Sequence, residues 1–177
     1  MVSEPLIVIC GPTASRKSEL AMAMAEQLNG ELICCDSVQV YQGFQIGSAG
    51  PNEADRERVP HHLFYHYAPT DPADAGRYAR DADTVIADIV ARGKRPILVG
   101  GTGLYLRALL WGLAEVPAVS AEIKAKLQAD LAEIGNAGLF QRLLHVDDGT
   151  ASRLDGGVAD TQRILRALEV FEATGRP

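Results

Sequence analysis

The feature that most constrains the fold is an apolar run near the start of the chain that leads into a glycine-rich turn. Residues 6–10 are continuously apolar and Gly11-Pro12 follows them, which predicts a buried parallel strand entering a turn. The next segment is rich in Ala, Met, Glu and Leu and predicts a helix over residues 18–28, closed by Gly30. A strand, a turn and a helix in this order are the setting of a phosphate-binding loop.

The turn carries the phosphate-loop pattern G-x-x-x-x-G-K-[ST] with one departure. The residues predicted to bind a diphosphate or nucleotide are Gly11, Pro12, Thr13, Ala14, Ser15, Arg16, Lys17 and Ser18. Backbone N–H groups at the helix N-terminus would point at phosphate oxygens, and Lys17 would add a cation. The Ser18 hydroxyl is a candidate ligand for Mg²⁺.

The departure is Arg16, which stands where the pattern has its second glycine. Glycine permits positive φ and a close backbone approach to phosphate, and we expect arginine to give up both freedoms. The alternative is a chance strand, turn and helix with a lysine at the helix start. The flanking elements favour a phosphate loop whose binding Arg16 impairs.

The remaining apolar segments indicate an α/β protein. Further strands are predicted over 31–35 and 97–99, helices over 77–92 and 104–111, and loops with short elements over 42–75. This alternation predicts a P-loop NTPase-like, three-layer fold with a parallel sheet. Ligands of such sheets bind at the carboxyl ends of the strands, and the segments that would meet there are 11–18, 36–41 and 100–105.

Beyond Pro117 the pattern changes to helices without strands. They are predicted over 121–134, with Ser120 as N-cap, and over 139–145 and 160–174. We therefore predict a catalytic core over 1–115, a small helical insertion domain over 116–150, and a return helix of the core within 151–177.

Three polar residues follow the predicted strands. Asp36 ends the second strand, where a carboxylate could accept a proton from a nucleophile, although a loop-capping aspartate explains it equally well. Gln39 offers a donor and an acceptor, which suits a base edge. Thr102 lies where a helix begins, and an N-cap is at least as good an explanation as a ligand contact.

Charge and cysteine usage narrow the class of protein. A net charge of -6 argues against a general nucleic-acid binder, so any RNA would need a local basic patch such as Arg163 and Arg166. These arginines share a helix face, and a solvated surface is the alternative.

We expect a structural role for His61-His62. Three reduced, buried thiols and the absence of an apolar stretch of about 18 residues predict a cytoplasmic protein.

Six motifs, taken in order, resemble one known family. They are Gly11-Pro12-Thr13-Ala14-Ser15, Asp36-Ser37-x-Gln39-Val40-Tyr41, Val59-Pro60-His61-His62-Leu63, Gly100-Gly101-Thr102-Gly103-Leu104-Tyr105, Asp160-x-Gln162-Arg163-Ile164-x-Arg166-Ala167-Leu168-Glu169-Val170 and Thr174-Gly175-x-Pro177. The series resembles the tRNA dimethylallyltransferases, also called isopentenylpyrophosphate transferases. Members of this family continue beyond the Thr-Gly-x-Pro motif, so the chain is expected to end before the rest of their C-terminal part.

The resemblance implies a prenyltransferase that modifies tRNA. The donor would be dimethylallyl diphosphate, bound with Mg²⁺ at the phosphate loop, and the acceptor the N6 amine of the adenosine 3′ of the anticodon. The adenine base would be flipped out of its stack, as expected for enzymes that act on a base. The position of Asp36 is that of the general base, and the position of Thr102 lies at the reaction centre. The insertion domain would grip the anticodon stem-loop, and we expect a monomer.

The resemblance also implies a set of tRNA contacts. They are Asp36, Ser37, Val38, Gln39, Thr102, Lys124, Gln162, Arg163, Ile164, Leu165 and Arg166. Three other functions remain open at this point. The chain could be an adenylate isopentenyltransferase, a small-molecule P-loop kinase, or an inactive or truncated relative that binds tRNA.

Overall fold

A computed structural model of the protein describes residues 6–113, 119–154 and 157–177. The chain forms two compact units, Met1–Leu113 and Ala114–Pro177. The division predicted from the sequence, at 1–115, 116–150 and 151–177, stays a prediction.

The first unit is built on a parallel sheet of four strands, which confirms the predicted fold class. The strands are β1 (Ile7–Cys10), β2 (Gly30–Cys35), β3 (His61–His62) and β4 (Arg95–Gly100), and their order in the sheet is β1-β4-β2-β3. Cys10 and Cys35 both pair with Gly100, so three strands end at the same level of the sheet. The loops that follow these strands therefore start side by side.

Helices connect the strands of the first unit. They are α1 (Lys17–Leu28), α2 (Glu53–Arg58), α3 (Ala75–Ala91) and α4 (Gly103–Trp111). The prediction that Gly30 closes α1 is wrong. Asn29 adopts the left-handed conformation at the C-cap, with φ 52°, and Gly30 already belongs to β2. Asparagine tolerates this conformation because its short polar side chain can bond locally.

Helices cover both faces of the sheet. Successive strand residues point to opposite faces, and Val99 faces a cavity beside α1, whereas Leu98 faces a cavity beside Leu106 of α4. α3 buries Tyr78 and Ile89. The result is the predicted three-layer arrangement, with the apolar strands in the middle layer.

A buried carboxylate ties the start of β2 to its neighbours. Glu31 is 3% exposed, accepts hydrogen bonds from both terminal nitrogens of Arg92, and lies 2.7 Å from His62 Nε2. The Arg92 guanidinium is the main cause that lowers the pKa of Glu31 to about 2. His61 and His62 lie in a strand rather than in the predicted loop, and the structural role predicted for them stays a prediction.

The second unit is helical. Its elements are α5 (Ala121–Val146), α6 (Asp148–Ser152), a 3-10 helix (Gly157–Ala159) and α7 (Thr161–Thr174). The predicted break between two helices is confined to Gly135, whose φ is 67°. Leu127, Leu143 and Ile164 belong to one core that joins α5 to α7. Arg142 adds ion pairs to Asp130 and Glu172 from the same two helices.

Among the described residues, every helix is too short or too polar to cross a membrane.

Candidate active site

The carboxyl ends of β1, β4 and β2 form a narrow platform that requires glycine. A Cβ atom on Gly100 would lie 2.0 Å from the carbonyl oxygen of Cys35, and one on Gly101 would lie 3.1 Å from the Gly11 carbonyl oxygen. Any side chain at Gly100 would therefore push β4 away from β2. The close approach brings together the loops that begin at residues 11, 36 and 101.

The loop after β1, which is predicted to cradle a phosphate, contains two left-handed residues. Ala14 and Arg16 both adopt left-handed backbone conformations, with φ of 63° and 59°. Arg16 is the N-cap of α1, and its side chain makes no capping hydrogen bond. The first N–H groups of a helix have no intrahelical partner and favour an anion. Lys17 Nζ donates to the Pro12 carbonyl oxygen at 3.2 Å, so the ammonium group lies across the loop.

Arg16 keeps the conformation that the sequence led us to assign to glycine alone. The expectation that arginine gives up positive φ is wrong, because φ is 59° and ψ is 22°. A non-glycine residue in this region is strained by roughly 1–2 kcal/mol. The departure from the phosphate-loop pattern therefore changes the energy of the loop and leaves its backbone path in place.

Replacing Arg16 by glycine should raise the free energy of unfolding by about 1 kcal/mol, because the strain disappears. Ala14→Gly, the matched variant at the other left-handed residue, should have a similar effect. Arg16→Ala removes the charge but keeps the strain, and should give no gain. Urea unfolding of the three variants checks this. Equal stability of Arg16→Gly and Arg16→Ala would contradict the assignment of strain.

Asp36 is held in a fixed orientation at the end of β2. Its Oδ1 accepts hydrogen bonds from the backbone N–H groups of Val38, at 2.9 Å, and Gln39, at 3.2 Å. The loop-capping role weighed from the sequence is therefore real. It occupies Oδ1 and leaves Oδ2 as the oxygen that can accept a proton from a substrate.

Thr102 connects the end of β4 to the same turn. Its Oγ1 accepts from Ser37 N–H at 2.8 Å and donates to Ser37 Oγ at 3.3 Å, and its own N–H donates to the Cys35 carbonyl at 3.1 Å. Thr102 occupies the N-cap position of α4, but its side chain makes no capping hydrogen bond. The hydroxyl instead faces the Asp36 turn, which places the two predicted catalytic residues together.

The Gln39 amide is also oriented. Its Nε2 donates to the Ser48 carbonyl oxygen at 2.7 Å, and its Oε1 accepts no hydrogen bond from the part of the chain that the structure describes. Ser37 and Val38 are exposed beside it. This exposed edge can meet a polar ligand such as a base.

Two of the three thiols near the site are poor nucleophiles. Burial raises the pKa of the Cys35 thiol to about 11 and raises the pKa of the Cys34 thiol well above its ordinary value, so both stay protonated at neutral pH. Cys10 is exposed, so the prediction of three buried thiols is wrong for this residue. It lies at the last position of β1, where the sheet opens to the phosphate loop.

An apolar cavity of about 250 Å³ adjoins both the phosphate loop and Thr102. Its lining residues are Val8, Ile9, Cys10, Gly11, Pro12, Cys35, Leu98, Gly100, Gly101, Thr102, Gly103 and Leu106. The cavity has room for the small hydrocarbon part of a ligand whose charged end would lie on the loop after β1.

The described residues contain no cluster of three or more His, Cys, Asp or Glu side chains that could hold a metal by themselves. The exposed Ser18 hydroxyl supplies one oxygen at the start of α1. This fits Mg²⁺, which usually keeps several waters and takes its remaining ligands from substrate phosphates.

The other residues predicted to contact tRNA lie in the second unit. Lys124, Gln162, Arg163 and Arg166 are exposed. The two arginines pair with Asp160 at 3.3 Å and with Glu169 at 3.0 Å. Ile164 is fully buried in the core of its unit, so its side chain is unavailable to a ligand.

The sheet, the strand-end site and the cradle before α1 define a P-loop-like α/β protein. A family model described as IPP transferase matches residues 39–177. The chain therefore belongs to the IPP transferase family, which confirms the resemblance found in the sequence.

Relatives across this family agree with the assignment. A protein of Halorhodospira halophila named tRNA dimethylallyltransferase is 48% identical over 99% of this chain and 56% of its own length. One of Geotalea daltonii, named tRNA dimethylallyltransferase 2, is 50% identical over 97% of this chain and 52% of its own. The chain thus spans about half the length of the curated relatives it matches.

Solved structures show the same fold. A tRNA isopentenylpyrophosphate transferase from Staphylococcus epidermidis is 38% identical, with a TM-score of 0.59 over 98% of this chain and 56% of that one. A eukaryotic dimethylallyltransferase described as acting on tRNA is 30% identical, with a TM-score of 0.80 over 98% of this chain and 43% of its own.

Proposed function

We propose that this chain carries the donor-binding and base-activating part of a tRNA dimethylallyltransferase. The reaction would move a dimethylallyl group from dimethylallyl diphosphate to the N6 amine of the adenosine 3′ of the anticodon. The observation that carries the proposal is the convergence of the phosphate loop, Asp36 and Thr102 at one level of the sheet. Membership of the IPP transferase family supports it.

The chemistry needs a stabilised leaving group. The C1–O bond of the donor breaks, and the bonding electrons leave with the diphosphate. The N–H groups at the start of α1 and the Lys17 ammonium would stabilise the charge that develops there. Mg²⁺ bound at Ser18 and the diphosphate would neutralise part of the same charge.

The amine must form the new bond to C1. Its lone pair attacks C1, and one N–H proton passes to Asp36 Oδ2, because Oδ1 is occupied by two backbone N–H groups. Thr102 and Gln39 Oε1 would bind the adenine, with Thr102 held by its hydrogen bond to Ser37 and Gln39 by the bond from its Nε2 to the Ser48 carbonyl. The electron count balances without a covalent intermediate, which agrees with the protonated state of Cys35.

The apolar cavity beside Thr102 suits the hydrocarbon part of the donor, because it adjoins Gly11 and Pro12 of the phosphate loop. The exposed side chains of Lys124, Gln162, Arg163 and Arg166 supply donors for tRNA phosphates and bases. A tRNA acceptor also favours the cytoplasm as the site of the reaction.

The test offers three acceptors to the purified chain with labelled dimethylallyl diphosphate and Mg²⁺. They are an unmodified anticodon stem-loop, the same stem-loop with guanosine at the target position, and AMP. Label in the first alone supports the proposal. Label in AMP would assign an adenylate isopentenyltransferase, and phosphoryl transfer from ATP without prenyl transfer would assign a kinase. Stem-loop binding without transfer would assign an inactive tRNA-binding relative.

A further inference from the structure

Two tyrosines, one just after the Asp36 turn and one in α4, hold the same peptide segment. Tyr41, five residues after Asp36, accepts a hydrogen bond at its hydroxyl from Ala73 N–H at 2.9 Å. Tyr105, three residues after Thr102, donates its hydroxyl hydrogen to the Ala73 carbonyl oxygen at 2.8 Å. Both backbone polar groups of Ala73 are thus bound by side chains, one that follows the Asp36 turn and one from the start of α4.

A third tyrosine connects this contact to the strand that ends at Asp36. The rings of Tyr78 and Tyr105 stack with their centroids 4.2 Å apart and their planes 13° apart. The Tyr78 hydroxyl donates to the Cys34 carbonyl oxygen at 2.7 Å, two residues before Asp36. A path of direct contacts therefore runs from the end of β2, through Tyr78 and Tyr105, to the start of α4.

The buried phenols of Tyr78 and Tyr105 suit a fixed, neutral role. Tyr78 is fully buried and Tyr105 is 5% exposed. Burial raises the pKa of Tyr105 to about 12, and it raises the pKa of Tyr78 further. Their hydroxyls therefore stay protonated across the working pH range and cannot exchange protons with a substrate.

We propose that Tyr41, Tyr78 and Tyr105 form a tyrosine clamp of positioning residues, which fixes the Asp36 carboxylate relative to the Thr102 hydroxyl. The inference rests on the proposed function. None of the clamp hydroxyls needs to touch substrate, because each one is engaged by backbone of the protein. Their effect on the reaction passes through the geometry of the two loops, and a small displacement of reacting groups can cost up to about 10²-fold in rate.

The clamp can be opened without removing apolar packing. Tyr41→Phe and Tyr105→Phe each delete one hydroxyl and keep the ring. Tyr67→Phe is the matched control, because Tyr67 is 2% exposed and its hydroxyl donates at 2.7 Å to Asp81, outside the clamp. A general loss of buried phenol hydroxyls would affect all three variants alike.

We expect kcat to fall about 10-fold in Tyr41→Phe and Tyr105→Phe, with KM for donor and acceptor changed less than about 2-fold. Hydrogen exchange at the amides of Ser37, Val38 and Gln39 should become faster in both variants and stay unchanged in Tyr67→Phe. Equal kcat and equal exchange in the control and the clamp variants would overturn the proposal. A rise in KM without a fall in kcat would also overturn it, since it would show substrate binding by these residues.

The exchange measurement needs no substrate and therefore separates the clamp from the proposed function. If the wild-type chain transfers no prenyl group, exchange at the amides of residues 37–39 still decides whether the clamp orders the turn. If Tyr105→Phe fails to fold, Tyr41→Phe tests the same contact with Ala73 from the other side. Should both fail to fold while Tyr67→Phe folds, the hydroxyls are structural and the positioning role is rejected.

Discussion

Asp36→Asn should lower the rate of prenyl transfer by about 10²–10⁴-fold, the range expected when a general base is removed. The substitution keeps a carboxamide oxygen that can still accept the two hydrogen bonds from Val38 and Gln39 N–H. The turn should therefore survive, whereas the atom at the Oδ2 position becomes an amide nitrogen that accepts no proton. Single-turnover transfer to a stem-loop, with both substrates in excess of their dissociation constants, measures the effect on chemistry alone.

A second aspartate serves as the control for this experiment. Asp74 caps α3 by accepting from Arg77 N–H at 2.8 Å, in the same way as Asp36 holds its turn. Asp74→Asn should leave the transfer rate within about 2-fold, because asparagine is an equally good cap. If Asp36→Asn is no slower than Asp74→Asn, Asp36 is only a cap and the proposed mechanism is wrong.

Glu31→Gln should lower the free energy of unfolding by about 2–3 kcal/mol at neutral pH, the cost of losing charged hydrogen bonds at a buried carboxylate. The amide would present N–H donors to the Arg92 guanidinium, which has only donors itself. Glu26→Gln breaks an exposed ion pair in which Arg58 Nη2 lies 2.6 Å from Glu26 Oε1. This substitution should lower the free energy of unfolding by less than about 1 kcal/mol. Urea unfolding at neutral pH compares the two.

The pH dependence of this difference has a definite sign. The pKa of Glu31 falls from its ordinary value of 4.5 to about 2 on folding, so the unfolded chain binds the proton more tightly. The stabilisation is complete above about pH 4.5 and is lost as the pH falls towards 2. The difference in free energy of unfolding between wild type and Glu31→Gln should therefore become smaller over this interval. A gap that stays constant down to pH 2 would show that the charge of Glu31 contributes nothing.

Patterns along the chain predicted the sheet and the position of the site. The apolar run at residues 6–10 and the strand ends at Asp36 and Thr102 are local signals, and parallel strands bring their carboxyl ends together by geometry alone. The family resemblance followed from the same loops. These signals predicted correctly that the three loops start side by side, but they did not reveal how the side chains in those loops are held.

Contacts between distant residues could not be predicted. Glu31 and Arg92 are 61 positions apart in the sequence, and Tyr105 and Ala73 are 32 positions apart, so no local sequence pattern predicts either contact. The conformation of Arg16 was missed for another reason. Residue preferences describe the average cost of a conformation, and the strand and helix on either side of the loop override that preference here.

Gly100 has a consequence for attempts to change the specificity of this protein. A Cβ atom added there would lie 2.0 Å from the Cys35 carbonyl oxygen, so main-chain packing sets the distance between the Asp36 and Thr102 loops. The lining of the cavity proposed to hold the donor, such as Leu98 and Leu106, can then be varied to admit other hydrocarbon groups while the strand ends keep their positions. Substitutions intended to change the bound hydrocarbon group should therefore be made in the cavity wall, and the residues at the strand ends should be kept.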